Sequence, residues 1–314
     1  MNHCDTIMDP VYRISTITAT GSVNTEINLD VLFYDAITIC EEDKEGVVYV
    51  EYGKKKAETM YKGFSKKFLV NKRKVSTTSK RFENQVTIVY RKIRNGQHSL
   101  LNTKVFRNGN LQITGIKYVE QGYEMVDTII DILQKGYKET QEEPIVKDIT
   151  KLRNTDYKVR LINSDFNIGF PIKRDLLYKV IYNQYTKDCS YEPCIYPGVK
   201  VQYFYNTVNE CKDGICHCES QCIVGKGSGK GPEQCKKITV AIFQSGCVII
   251  TGAQSYHQIN EAYAYVTTLL RKHRDEIERK TIVPVVIQET PKKIILINKK
   301  NIIYPKTINH HQEV

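Results

Sequence analysis

The segment NTKVFRNGNLQITGIK, Asn102 to Lys117, returns as TVAIFQSGCVIITGAQ, Thr239 to Gln254. Phe106, Gly109, Thr114 and Gly115 recur as Phe243, Gly246, Thr251 and Gly252, all at an offset of 137 residues. Solenoid repeats run to about 20 to 50 residues, so a period this long predicts two related halves instead. In both copies apolar residues alternate into a glycine-bearing turn and out again, and a second glycine precedes apolar residues at helical spacing. Alternation has the period of a strand and the i, i+3, i+4 pattern that of a helix, so each copy reads strand, turn, strand, helix.

The halves extend around these copies. The first runs from about Tyr12 to Tyr137 and opens with the strand-like YRISTITATGSV, followed by a helix near Leu29 to Thr38. A basic segment, a strand pair around Gln85 to Ile93 and Asn102 to Thr114, and a helix over Val119 to Gln134 complete it. Val119, Tyr123, Val126, Ile130 and Leu133 form one helical stripe there, as expected of a core face. The second half opens at Tyr157 with YKVRLINSDFNIGFPI; a helix from Lys173 to Gln184, strands at Val199 to Tyr205 and Lys237 to Thr251, and a helix from Tyr256 to Arg274 follow. Ile259, Ala262, Val266 and Leu269 repeat the stripe. The expected division is residues 1–138, a polar linker over 139–156, residues 157–278, and an extension over 279–314 whose IVPVVI and KKIILINKKNII suit an added strand or a docking segment.

No apolar run approaches the roughly 20 residues needed to cross a bilayer, and MNHCDTIMDP has no basic region leading into an apolar core, so a soluble, unsecreted chain is expected. In a chain of this length without a signal peptide, the 10 cysteines point to a reducing compartment, with thiols free or metal-bound. The net charge of +11 favours a polyanionic partner over mere solubility. Between Gly53 and Arg94 stand 14 Lys or Arg against Glu58 and Glu83 alone. Tyr52, Tyr61, Phe64, Phe68, Phe82 and Tyr90 interleave with them, a composition suited to lining a phosphate backbone; a solvated basic insertion is the plainer alternative.

The ordered motifs of the second half are FPI (Phe170 to Ile172), SYEP (Ser190 to Pro193), YPG (Tyr196 to Gly198), IFQSG (Ile242 to Gly246) and ITGAQ (Ile250 to Gln254). With KRF (Lys80 to Phe82), KVFRNG (Lys104 to Gly109) and ITGIK (Ile113 to Lys117) in the first half, the chain resembles the TATA-box-binding protein family, and its Lys, Asn, Ile and Tyr-rich composition resembles the divergent members found in large DNA viruses. The resemblance implies an α+β fold of two pseudo-symmetric repeats, each a curved antiparallel sheet backed by helices, joined as a saddle with an uncovered concave face. It also implies a non-enzymatic transcription initiation factor that binds and bends A·T-rich double-stranded promoter DNA and recruits a general initiation factor and RNA polymerase, acting in the nucleus or, for a viral chain, in the host cytoplasm or virion. A protein-interaction scaffold with a degenerate DNA face is the alternative. No nucleophile, base and acid set or paired carboxylates can be placed on facing elements from sequence.

Alternate strand residues face opposite sides, and the minor groove presents mainly acceptors at A·T pairs. Hydroxyl and apolar side chains therefore suit the DNA face, and the resemblance assigns it Thr16, Thr18, Thr20, Thr114, Ile249 and Thr251, with Lys117 as a phosphate contact. It assigns the base-unstacking wedges to Phe82 with Phe106 and Tyr196 with Phe243. Against it, Leu161 stands where the family has an Asn donor, with Asn163 two residues on, and Asn110, Cys247, Gln254, Tyr90 and Gln202 stand where Lys or Arg is expected.

The second insertion reads CKDGICHCESQC. Cys211, Cys216, Cys218 and Cys222, with His217 and Cys235 as spares, provide enough soft ligands for a structural zinc; free thiols in a loop and disulfides remain the alternatives. Binding DNA by itself requires no cofactor. The following GKGSGKG lacks the Walker A spacing and its final Ser or Thr, and reads as a flexible connector.

Overall fold

The two copies fold as dyad-related halves of one antiparallel sheet. The computed structural model describes residues 11–53, 59–63, 84–139, 143–206, 212–218 and 235–280. The first half contributes β1 (Arg13–Ser22), β2 (Gly46–Gly53), β3 (Thr59–Gly63), β4 (Gln85–Arg94), β5 (Gln97–Phe106) and β6 (Asn110–Ile116). The second contributes β7 (Thr155–Asn167), β8 (Cys189–Ser190), β9 (Val199–Tyr205), β10 (Lys236–Ile242) and β11 (Cys247–Ala253). The order β3-β2-β4-β5-β6-β1-β7-β11-β10-β9-β8 puts the two opening strands side by side at the centre. β3 is an extra edge strand with no counterpart in the second half among the described residues. Met1–Arg279 form one compact unit; a second unit runs from Lys280, and beyond that residue it lies outside the described residues.

Among the described residues the strands are accompanied by α1 (Leu29–Val31), continued by a π-helical turn over Leu32–Ala36, then α2 (Val119–Glu139), α3 (Arg174–Gln184), α4 (Tyr256–Lys272) and a last turn α5 (Arg274–Ile277). α2 packs on β6 and β1, and α4 on β9, β10 and β11. Strand alternation supplies the opposing surface: Ile17, Ala19, Ile113 and Ile116 in the first half and Val240, Val248 and Ile250 in the second are buried against Val126, Ile129, Leu133, Val266 and Leu270. Truncating one of these, for example Leu133, costs about 2–5 kcal/mol. α4 begins with a reciprocal cap, in which Ser255 Oγ accepts from Gln258 N (3.3 Å) and Gln258 Oε1 accepts from Gln254 N (2.7 Å). Gln121 Oε1 does the same for Lys117 N (3.0 Å) at α2, as the repeat requires. No helix among the described residues is long and apolar enough to cross a membrane.

Several local expectations differ in detail. The helix expected over Leu29 to Thr38 is a single α-turn that widens to a π-turn. Of the α2 stripe, Val126, Ile130 and Leu133 are buried, but Tyr123 is 49% exposed, and Met125 and Ile129 take the core positions instead. The segment expected as a polar linker is docked: Ile145 and Val146 are buried, and Asn28 N donates to Ile145 O (2.8 Å). β2 and β3 precede and enter the basic segment, whose residues 54–58 and 64–83 lie outside the described residues.

Candidate nucleic-acid interface

The face of the sheet opposite the core carries no helix among the described residues, and most of its side chains are half-exposed, with Ala241 buried and Arg13, Lys158 and Arg160 exposed. The register aligns them in rows across the sheet. One row runs Thr87, Lys104, Gln112, Thr20, Lys158 across β4, β5, β6, β1 and β7. Its dyad mate runs Lys200, Ala241, Ile249, Asp165, Arg13 across β9, β10, β11, β7 and β1. Thr251, Thr239 and Gln202 form a further row in the second half, with Thr239 Oγ1 donating to Gln202 Oε1 at 2.9 Å. Thr114 pairs with Asn102 in the first half at the position matching Thr251 opposite Thr239.

At the centre, Thr16 pairs with Asn163 and Thr18 with Leu161. These two pairs are exchanged by the dyad, so the amide missing at Leu161 is present at Asn163, beside Thr16. Asn163 alternates with buried Ile162 and Ser164 and so points to the open face. Its Oδ1 is buried and accepts no hydrogen bond from the described residues. An Asn side chain offers two N–H donors as well, the complement of a groove lined with acceptors. Sequence position alone does not reveal this recovery, because the exchange depends on the β1–β7 register.

The two hairpins that end the face are built alike. Gly109 (φ 81°) donates to Phe106 O (2.9 Å) and accepts from Val23 N (2.9 Å); Gly246 (φ 81°) donates to Phe243 O (3.0 Å) and accepts from Ile168 N (2.9 Å). A β-carbon on Gly109 would lie 2.1 Å from Thr25 O, and one on Gly246 2.3 Å from Phe170 O. Only glycine tolerates both the left-handed backbone and this approach. The turns therefore hold Phe106 and Phe243 at matching ends of the open face, each half-buried. Phe243 lies against Tyr196, ring centroids 5.7 Å apart at 57°, and Lys200 Nζ sits 4.1 Å from the Tyr196 centroid. Gly198 makes the pairing fit, since a β-carbon there would meet both rings. Phe106 pairs with Gln85 across the β4–β5 hairpin, and lines a groove with Thr20, Asn108, Asn110, Gln112 and Arg160. Phe82 lies outside the described residues.

Charge on this face is mixed. Lys104, Lys158, Arg160, Lys200 and Arg13 reach it, and Arg160 Nε donates to Thr20 Oγ1 at 2.8 Å. Lys117 Nζ donates to Ser15 O, and Gln254 Nε2 to the dyad-related Arg160 O at 3.4 Å. Lys117 is thus anchored on the central strand as well as cationic. The resemblance missed Asp165, which holds Arg13 at 2.7 Å and accepts from Ser15 Oγ. Partial burial raises its pKa, but the hydrogen bonds from Ser15 and Arg13 and the charges of Arg13 and Lys117 outweigh that and lower it. Asp165 is therefore an anion at neutral pH, and it pairs with an arginine whose side chain remains 81% exposed.

The cysteine insertion lies elsewhere, at the β9–β10 end. Cys216, Cys218 and Cys235 converge with their sulfurs within 4.8 Å of one another, an arrangement that can hold a metal. Cys235, expected as a spare, is the buried member. Cys211 and Cys222 lie outside the described residues, and His217 Nε2 is engaged by Asp213 Oδ2 at 2.8 Å.

Residues 156–273 match the family model of transcription factor TFIID, or TATA-binding protein. A TATA-box-binding protein-like chain of Acanthamoeba polyphaga mimivirus is 30% identical over 272 residues, 85% of this chain and 66% of the relative. The TATA-box-binding protein of Dictyostelium discoideum is 25% identical over 166 residues, 53% of this chain and 58% of the relative. The chain thus spans 66% of the length of the first of these relatives and 58% of the second. A solved TBP of Methanococcus jannaschii superposes with a TM-score of 0.42 at 15% identity, covering 84% of this chain and 99% of that one.

Proposed function

Because the chain belongs to the TATA-binding protein family, we propose that it is a non-enzymatic transcription initiation factor that binds A·T-rich promoter DNA in the minor groove, bends it, and recruits a general initiation factor and RNA polymerase. The observation that carries this reading is the pair of dyad-related phenylalanines, Phe106 and Phe243, held by matched glycine turns at the two ends of one open strand face. Rings so placed can enter base steps, the wedge action already established for this family. Between them Thr16, Thr18, Thr114, Thr251 and the Asn163 amide supply hydroxyl and N–H donors, while Leu161 and Ile249 lie flat against sugar and base edges. The groove's A·T acceptors accept those donors, and the guanine amino group of a G·C pair would be left facing apolar side chains. Lys104, Lys117, Lys158, Arg160 and Lys200 neutralise phosphates, and the basic segment from Gly53 to Arg94 adds affinity without sequence preference. Such a factor acts in the nucleus or, in a viral infection, in the host cytoplasm or virion.

Leu161 and Asp165 favour a second reading, a scaffold that keeps the family's protein contacts while its DNA face has degenerated. Equilibrium binding and end-to-end energy transfer on a doubly labelled A·T-rich duplex, beside a G·C-rich control, separate the two. DNA recognition requires preference of about tenfold or more, since each mismatched pair costs about 1–3 kcal/mol, together with a shortened end-to-end distance. Equal, unbent binding of both duplexes would leave the scaffold.

Asp165→Asn is expected to tighten duplex binding by about two- to tenfold and to steepen the dependence of log affinity on log salt by up to about one unit, because it removes an anion and frees Arg13 for a phosphate. Unchanged affinity and slope would put Asp165 and Arg13 outside the footprint.

A further inference from the structure

We propose that Cys216, Cys218 and Cys235 bind one zinc ion that ties the insertion between β9 and β10 to the base of its own hairpin. Cys235 immediately precedes β10 and is 1% exposed, whereas Cys216 and Cys218 come back to it from inside the insertion. The Cys218 and Cys235 sulfurs are 3.3 Å apart, and those of Cys235 and Cys216 3.5 Å. Thiolates around a tetrahedral zinc at about 2.3 Å from the metal stand about 3.8 Å from one another. A disulfide would need about 2.05 Å. The cluster is therefore close to the edge lengths of a zinc–thiolate tetrahedron.

The surroundings suit thiolates. Asn206, the residue after β9, donates Nδ2 to Cys218 Sγ (3.5 Å) and Cys235 Sγ (3.6 Å). Such N–H donors orient sulfur ligands and stabilise their negative charge from outside the coordination sphere. Three thiolates at this spacing repel one another and require a cation among them. Zinc supplies that charge, and its binding releases the thiol protons to solvent with no change of oxidation state. Soft sulfur donors select zinc over magnesium or calcium.

The anchoring continues away from the sulfurs. Phe204 N donates to Gly214 O (2.9 Å), and Lys212 Nζ pairs with Glu261 Oε1 of α4 (3.1 Å). Residues 212–214 thus lie back over α4 while Cys216 and Cys218 return to the strand ends. With the metal bound, this stretch becomes a fixed surface beside α4, distant in sequence from the Phe243 turn.

The test uses full-length protein purified reduced, without chelator or added metal, with zinc measured by elemental analysis and native mass spectrometry. About one zinc per chain is expected, falling at least tenfold in Cys216→Ser, Cys218→Ser and Cys235→Ser, and retained in Cys194→Ser, whose exposed thiol lies outside the cluster. Cobalt substitution should give a sulfur-to-metal charge-transfer band that disappears in Cys216→Ser. Cys235 is buried, and if its variant does not fold, the half-buried Cys216 and Cys218 decide the matter. Near-zero zinc in the reduced wild type, full zinc in Cys216→Ser, or a native Cys218–Cys235 disulfide detected as a mass lighter by two hydrogens would each overturn the proposal.

Discussion

Phe243→Ala is expected to weaken binding to an A·T-rich duplex by about 5- to 150-fold and to straighten the bound DNA at one end. Stacking of an aromatic side chain on a base is worth about 1–3 kcal/mol, and the lost wedge also removes the driving force for unstacking that step. The ring is half-buried and touches Tyr196, so its removal leaves a partly open site and not a sealed cavity. Its melting transition should remain cooperative. Phe106→Ala should act in the same direction at the other end, where its partner is Gln85 across the strand pair. A Phe243→Ala protein that bends DNA like the wild type would remove this residue from the interface, and one that loses its cooperative melt would reassign the ring to the core.

Gly246→Ala is expected to cost about 2–4 kcal/mol of stability. A left-handed backbone costs an L-residue about 1–2 kcal/mol. The new β-carbon would sit 2.3 Å from Phe170 O and 3.1 Å from Asn167 Oδ1, so the facing loop must also retreat. That retreat pulls on two backbone hydrogen bonds, Ile168 N to Gly246 O (2.9 Å) and Ile172 N to Gln244 O (2.8 Å), each worth about 1 kcal/mol. Gly96→Ala separates the two contributions. Its φ of 72° carries the same conformational cost, but nothing lies within 4 Å of the added carbon. Denaturant melts should show a lower midpoint at unchanged slope for Gly246→Ala, with Gly96→Ala losing only about 1–2 kcal/mol. Equal losses for the two would show that the close approach at Gly246 contributes nothing.

The hairpins were legible in the sequence because their signals are local. Phe106 and Gly109, and Phe243 and Gly246, lie three residues apart within single turns, and strand alternation on either side sets which residues are buried. Ile259, Ala262, Val266 and Leu269 were legible for the same reason: helical periodicity acts over one or two turns, and all four are buried. Tyr123 was not, because a stripe defined by spacing alone leaves its angular centre undetermined, and the packing of α2 on β6 and β1 moves that centre to Met125 and Ile129. Leu32–Ala36 read as ordinary helix because intrinsic propensity does not distinguish an α-turn from the wider π-turn that the packing imposes.

Two halves, the place where each turns, the rings that stand before the turns and a cysteine-rich insertion in the second half can all be read from the order of residues alone. That Asn163 stands beside Thr16 at the dyad, that Asp165 holds Arg13, and that Cys235 joins Cys216 and Cys218 emerges once the chain is folded. Those placements depend on pairing between strands about 145 residues apart, or on the return of an insertion to the strand it left. In a sheet a one-residue slip exchanges the two faces of a strand. Register is selected by the sum of buried contacts across the whole sheet, a quantity that no local window of the chain contains.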